Sequence, residues 1–145
     1  MASHPQRSRR VSRDDYMALA SFRHALRGFM YFSAKAARAE KLSPQQQQAL
    51  LAIKGFSPGR HISIGDLAEH LYRKHNSTVG LVDRLVKRKL VRRSPGSTDR
   101  RKVFIELTPQ GEAMIDRLSA SHREELRRIG PGLRHWLQTI AGDER

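Results

Sequence analysis

The sequence predicts a mainly α-helical protein with one small β-hairpin, and three observations predict it. Apolar side chains recur at three- and four-residue spacing through most of the 145 residues. Ser, Thr or Asn stands ahead of each main helical run, often with Pro or an acid in the first turn. Only between Val91 and Leu107 does the spacing change to strict alternation. A chain of this length buries about 70% of its unfolded surface, so one core with a helical extension is feasible. The absence of cysteine removes disulfides, thiolate metal sites and thiol switches. No apolar run nears the ~18 residues of a membrane span, and no signal-peptide core follows the first basic residues. The expectation is a cytoplasmic protein with no membrane partner.

Residues 1–13 carry Arg7, Arg9, Arg10 and Arg13 with no acid and read as a flexible basic arm. Ser12 and Asp15 form a capping-box pattern, so a first helix should run from there to about Ala39. Its stripe is Leu19, Phe22, Leu26, Phe29 or Met30, Ser33 and Ala37, and Tyr16, Ala20, Tyr31 and Phe32 add apolar area outside it. One small core does not need that second patch. Ser43-Pro44-Gln45-Gln46 opens a second helix that carries Ala49, Leu50 and Ile53 inward, and Gly55 ends it.

Ser63 with Asp66 caps a short third helix whose inward stripe is Ile64, Leu67, Ala68 and Leu71. Asn76 is placed to cap a fourth, with Val79, Val82, Leu85 and Val86 facing inward. Two short helices joined by a few residues suggest a helix-turn-helix. The hairpin follows, with Val103, Ile105 and Leu107 on one face and a turn-rich connection at 94–100 projecting into solvent. Thr108-Pro109 starts a long helix with a seam of Ile115, Leu118, His122, Leu126 and Ile129. Gly130-Pro131-Gly132 should interrupt it before a last helix carrying Leu133, Trp136 or Leu137, and Ile140.

Charge then selects a partner. The chain carries 28 Lys and Arg against 14 Asp and Glu, a net +14, which is the footprint of a polyanion-binding protein. Eleven of the basic residues lie between Arg73 and Lys102 against two acids. That concentration coincides with the second helix of the helix-turn-helix and the hairpin, and it points to double-stranded DNA. Opposite the apolar stripe, the fourth helix presents Ser77, Gly80, Leu81, Arg84 and Arg88, with Asn76 and Thr78 at its start. Small amide and hydroxyl side chains read base edges at close range, Leu81 would touch a thymine methyl, and Arg84 and Arg88 would meet phosphates. Arg93 on the hairpin belongs to the same surface. At the tip, Asp99, Arg100, Arg101 and Lys102 would reach the minor groove, with Asp99 bracing a guanidinium.

In order along the chain, Leu42-Ser43-Pro44-Gln45-Gln46, Asp66-Leu67-Ala68, Ser77-Thr78-Val79, Val82-Asp83-Arg84-Leu85, Leu90-Val91-Arg92-Arg93, Asp99-Arg100-Arg101 and Leu107-Thr108-Pro109-Gln110-Gly111 resemble the MarR family of winged-helix regulators. The resemblance covers about Leu42 to Ile129. It implies a recognition helix at 76–89, a wing from Val91 to Leu107, a homodimer joined through its first and last helices, and repression relieved by a small ligand. The implied organisation is a winged helix-turn-helix DNA-binding region at 43–108, with a helical dimerisation region at 14–42 and 109–145. Lys89 departs from the pattern, since the family often has glycine there. Two recognition helices about 34 Å apart would read a pseudo-palindromic operator.

The resemblance also suggests a small anionic aromatic effector, for which Arg23, His24, Arg27 and Tyr31 on the first helix offer cations and a ring. Asp66 and His70, four apart, are too few for a metal site. No phosphate loop, nucleophile elbow or metalloprotease helix is present, so neither catalysis nor a cofactor is expected. The alternative is an architectural, nucleoid-type DNA-binding protein without effector control, which differs in lacking a strong preference for one operator.

Overall fold

A computed structural model describes residues 10–94 and 102–142. Its elements are α1 (Arg13–Ala39), α2 (Pro44–Phe56), β1 (Ile62–Ser63), α3 (Ile64–His70), α4 (His75–Lys87), β2 (Val91–Ser94), β3 (Phe104–Leu107) and α5 (Pro109–Ala141). They fall into two compact units. One runs from Phe32 to Glu124; the other comprises α1 up to Tyr31 and α5 from Glu125.

The capping signals act where the sequence places them. Ser12 accepts from the Asp15 N–H at 3.1 Å while the Asp15 carboxylate accepts from the Ser12 N–H at 2.9 Å. Ser43 and Gln46 make the same reciprocal pair ahead of α2, and Ser63 caps α3 by accepting from the Asp66 N–H. Each cap satisfies N–H groups that a helix start leaves without partners, worth about 1 kcal/mol.

In the Phe32–Glu124 unit, Leu50, Ile53, Leu67, Leu85, Ile105 and Ile115 are essentially inaccessible. Burying each contributes about 1.5–3 kcal/mol. Beside them lies a polar chain: the Gln47 amide donates to Ser33 Oγ at 2.5 Å, Ser33 lies 2.8 Å from His122 Nε2, and His122 Nδ1 lies 2.6 Å from the Leu118 carbonyl. That carbonyl can only accept, so it fixes the Nδ1–H tautomer and leaves Nε2 to accept from Ser33.

The expected hairpin is larger than the alternation showed. β2 and β3 pair antiparallel with Val91 opposite Leu107, and β1 adds a third antiparallel strand with Ile62 opposite Ile105. Two residues carry no period, so β1 had no sequence signal. The expected interruption at residues 130–132 is also corrected, because α5 is one helix with Pro131 inside it. Proline removes one N–H and crowds the preceding turn, but the helix continues beyond it. Gly132 admits the Trp136 ring close to its backbone: a Cβ there would lie 3.1 Å from the ring.

Three helix ends share one device. Lys41, Tyr72 and Lys89 have φ of 58, 52 and 60°, the left-handed region that favours glycine. At each, the next residue's N–H returns to a carbonyl five residues earlier: Leu42 to Ala37, Arg73 to Ala68 and Leu90 to Leu85, at 2.9–3.0 Å. These are Schellman ends. The departure at Lys89 therefore has a physical meaning, since the residue occupies a conformation where a Cβ is unfavourable. Lys41→Gly and Lys89→Gly are each expected to raise stability by about 0.5–1 kcal/mol. Urea midpoints check this, and a lowered midpoint would show that the lysine side chains contribute more than the strain they carry.

The start of α5 is locked to the end of the α4 turn. Thr108 N–H donates to the Leu90 carbonyl at 3.1 Å, its hydroxyl donates to the Lys89 carbonyl at 2.6 Å, and the same oxygen accepts from the Gly111 N–H at 3.1 Å. A Cβ on Gly111 would stand 2.0 Å from the Leu90 oxygen, so only glycine fits this approach.

Candidate nucleic-acid interface

The geometry of α4 redistributes the roles expected of it. The helix starts at His75 with Lys74 as N-cap, and no side chain caps it. Asn76 lies inside the first turn, which corrects its expected capping role and leaves its amide exposed. Thr78 and Leu81 are 0% and 2% exposed, and the Thr78 hydroxyl donates to the Lys74 carbonyl at 3.0 Å. Neither reaches a base edge, and Leu81 cannot meet a thymine methyl. The buried stripe is Thr78, Leu81, Val82 and Leu85, while Val79 and Val86 are half-buried at its border. The apolar arc of this helix is wide enough that spacing alone did not fix its centre.

Arg88 is likewise reassigned. Its guanidinium donates to the carbonyls of Lys41 at 2.6 Å and Glu40 at 3.3 Å, groups that the end of α1 leaves without helical partners. It holds α4 to α1 rather than facing a phosphate.

What remains outward is one continuous row. Asn76, Ser77, Arg84 and Lys87 are exposed and Gly80 is half-buried between them, at the spacing of a single helical face. A Cβ on Gly80 would meet nothing within 4 Å, so nothing in the fold requires glycine there. Lys87 was missed from the sequence, although the period running through Gly80 and Arg84 points to it. The Asp83 carboxylate accepts from the Arg93 guanidinium, which ties α4 to β2 and holds Arg93 beside this row. As an exposed pair it contributes orientation more than stability.

Arg92 pairs with Glu106 across β2 and β3 at 2.6 Å. Lys102 is exposed. Asp99, Arg100 and Arg101 lie outside the described residues. α4 carries no side-chain cap, and Asn76 and Ser77 are exposed in its first turn at the positive end of the helix dipole, an end suited to an anion.

Arg23, His24, Arg27 and Tyr31 are all exposed on α1. A cavity of about 730 Å³, bordered by Ile53, Lys54, Arg92, Glu106, Pro109 and Glu112, lies elsewhere, inside the Phe32–Glu124 unit. The Lys54–Glu112 pair joins α2 to α5 at its border, and the hydrogen bond that Lys54 donates to the Glu112 carboxylate raises the lysine pKa. His70 stacks on Phe56 with ring centroids 4.0 Å apart. Among the described residues no group of three His, Asp or Glu side chains is placed to hold a metal ion, and no helix is long and apolar enough to cross a membrane.

Two short helices set against a three-stranded antiparallel sheet, with the second helix presenting a polar and basic row, define a winged helix-turn-helix. Residues 41–102 match the family model described as the MarR family, so the winged helix-turn-helix of this chain is similar to that family. Over 66 residues, 46% of this chain and 45% of the relative, it is 38% identical to the HTH-type transcriptional regulator YsmB of Bacillus subtilis. Over 45 residues, 31% of this chain and 28% of the relative, it is 47% identical to the HTH-type transcriptional repressor NicR of Pseudomonas putida. The matches thus span less than half the length of either curated relative. A mutant of S. aureus MepR bound to an oligodeoxyribonucleotide has a similar fold, with a TM-score of 0.64 at 19% identity over 80% of this chain and 82% of that one.

Proposed function

We propose that this chain is a sequence-specific DNA-binding transcription regulator, acting in the cytoplasm as a homodimeric repressor on a pseudo-palindromic operator. The observation that carries the reading is the row of exposed Asn76, Ser77, Arg84 and Lys87, with half-buried Gly80 between them, along one face of the second helix of the helix-turn-helix. A helix of this width enters the major groove, where amide and hydroxyl groups near its start meet base edges and cations farther along meet phosphates. The wing, with Arg93, Asp99, Arg100, Arg101 and Lys102, anchors beside it. The names of YsmB and NicR, and the oligodeoxyribonucleotide bound to MepR, support the same reading.

Selection of bound sequences from a random duplex pool tests it. An inverted repeat with half-site centres about one helical turn apart is expected; a pool that yields no motif would contradict sequence-specific binding. Gly80 supplies a second check. Gly80→Ala should raise folding stability by about 0.5–1 kcal/mol, because helix propensity improves and the methyl meets only solvent. Affinity for the selected duplex should fall severalfold, because the methyl stands where the groove approaches. Equal affinity would show that Gly80 is merely tolerated.

The dimer rests on apolar surface that the described chain leaves uncovered. On α1, Leu19, Leu26 and Met30 share one helical face and are 47, 41 and 53% exposed, and near the end of α5 Leu137 and Ile140 are 50 and 41% exposed. Clustered exposure of this kind marks an association surface. Sedimentation should give a dimer that Leu26→Glu with Met30→Glu converts to a monomer; a wild-type monomer at micromolar concentration would refute it. The effector proposal places an aromatic carboxylate at Arg23, His24, Arg27 and Tyr31. Release of the duplex by such an acid, abolished by Arg27→Gln, supports it, and no release across a panel of aromatic carboxylates rejects it.

A further inference from the structure

The three Schellman ends allow an internal comparison. At the ends of α1 and α4 the left-handed residue is a lysine, and the residue after it is a leucine, Leu42 at 2% and Leu90 at 5% exposure, packed in the core. That is the usual arrangement, in which an apolar side chain at this position covers the last turn. The end of α3, which is the turn of the helix-turn-helix, breaks the pattern twice. Its left-handed residue is Tyr72, an aromatic side chain 98% exposed. Its following residue is Arg73, half-buried in the position that leucine takes elsewhere, with its Nε buried and without a hydrogen-bond partner.

Both choices disfavour the folded state. A bulky side chain is strained at positive φ, and the Tyr72 ring recovers almost nothing by packing. A buried guanidinium nitrogen without an acceptor loses its hydration and gains nothing in return. Glycine and leucine would serve the turn better. Lys74 follows as N-cap of α4, whose first N–H groups are uncapped by any side chain. Two unfavourable residues therefore sit next to each other, beside a helix start already suited to an anion, and an external anion supplies the Arg73 guanidinium with the acceptor it lacks.

We propose that Tyr72-Arg73-Lys74 is a clamp for the DNA backbone. Arg73 pairs with a phosphate and Tyr72 lays its ring and hydroxyl against the adjoining sugar and phosphate, fixing where α4 enters the groove. The clamp rests on the DNA-binding reading given above, and it concerns affinity and register rather than base sequence.

The test uses the full chain and fluorescein-labelled duplexes, one carrying the selected site and one of random sequence, titrated by anisotropy at several salt concentrations. Arg73→Leu should weaken both complexes by a similar factor, roughly tenfold, and should reduce the slope of log affinity against log salt by about one. Arg73→Lys should restore the slope. Tyr72→Gly should weaken both complexes severalfold with the slope unchanged. Arg73→Leu and Tyr72→Gly should also unfold at higher urea concentration than the wild type. Unchanged affinity and slope in these two variants would overturn the clamp. That result is distinguishable from failure of the parent reading, in which the wild type binds neither duplex. If the wild type binds and Arg84→Ala weakens it while Arg73→Leu does not, the clamp alone is rejected.

Discussion

Gly111→Ala is expected to lower folding stability by about 3 kcal/mol. The added Cβ would lie 2.0 Å from the Leu90 carbonyl oxygen and 3.0 Å from its carbon, and neither is the end of a flexible side chain that can turn away. The start of α5 or the turn after α4 must move, and these are the segments that Thr108 binds together through the Leu90 and Lys89 carbonyls. The same methyl at Gly55 meets nothing within 4 Å, so Gly55→Ala should be neutral or slightly stabilising. Urea unfolding of the two variants separates steric approach from any general effect of replacing glycine. Equal midpoints would show that the α5 junction is looser than its hydrogen bonds imply.

Leu81→Ala is expected to cost about 2–5 kcal/mol, whereas Arg84→Ala, one turn position away, should leave stability within about 0.5 kcal/mol. Leu81 is 2% exposed and belongs to the hydrophobic cluster with Val82 and Leu85; Arg84, three residues on, is exposed in the outward row. On DNA the order reverses. Arg84→Ala should weaken binding across sequences and flatten the salt dependence by about one unit. Leu81→Ala, at temperatures where it remains folded, should keep its sequence preference. Loss of preference at one base position in Leu81→Ala, with stability intact, would return that side chain to the groove.

Most of the scaffold was readable because it rests on local chemistry. Ser12, Ser43, Ser63 and Thr108 mark helix starts by side-chain hydrogen bonds that need only a few residues of context. The alternation through Ile105 and Leu107 gave the strand that centres the sheet. Features that depend on distant partners were not readable. Arg88 looks like another cation of a basic run until Glu40 and Lys41, some 47 positions away, bring their carbonyls to it. Leu81 was assigned to the groove because the apolar arc of α4 is broad, and only packing against the rest of the core sets which residues lie at its centre. Positive φ at Lys41 and Tyr72 left no trace because no glycine announces it, and at Lys89 the one sign is the glycine that the resembled family often has there. Pro131 misled in the other direction, since α5 continues through it.

The interface was readable in outline and corrected in detail. Asn76, Ser77, Gly80, Arg84 and Lys102 stay at the surface where spacing and charge put them, Thr78, Leu81 and Arg88 leave it, and Lys87 joins. Those changes narrow the proposed base-reading part to Asn76 and Ser77 beside an open Gly80. The most direct measurement is the ratio of affinities for the selected duplex and a random duplex, taken at one salt concentration for the wild type and for Asn76→Ala. A wild-type ratio of about a thousandfold or more, reduced about tenfold or more in the variant, is the expected result; a wild-type ratio near one, as an architectural DNA-binding protein would give, would contradict a sequence-specific regulator.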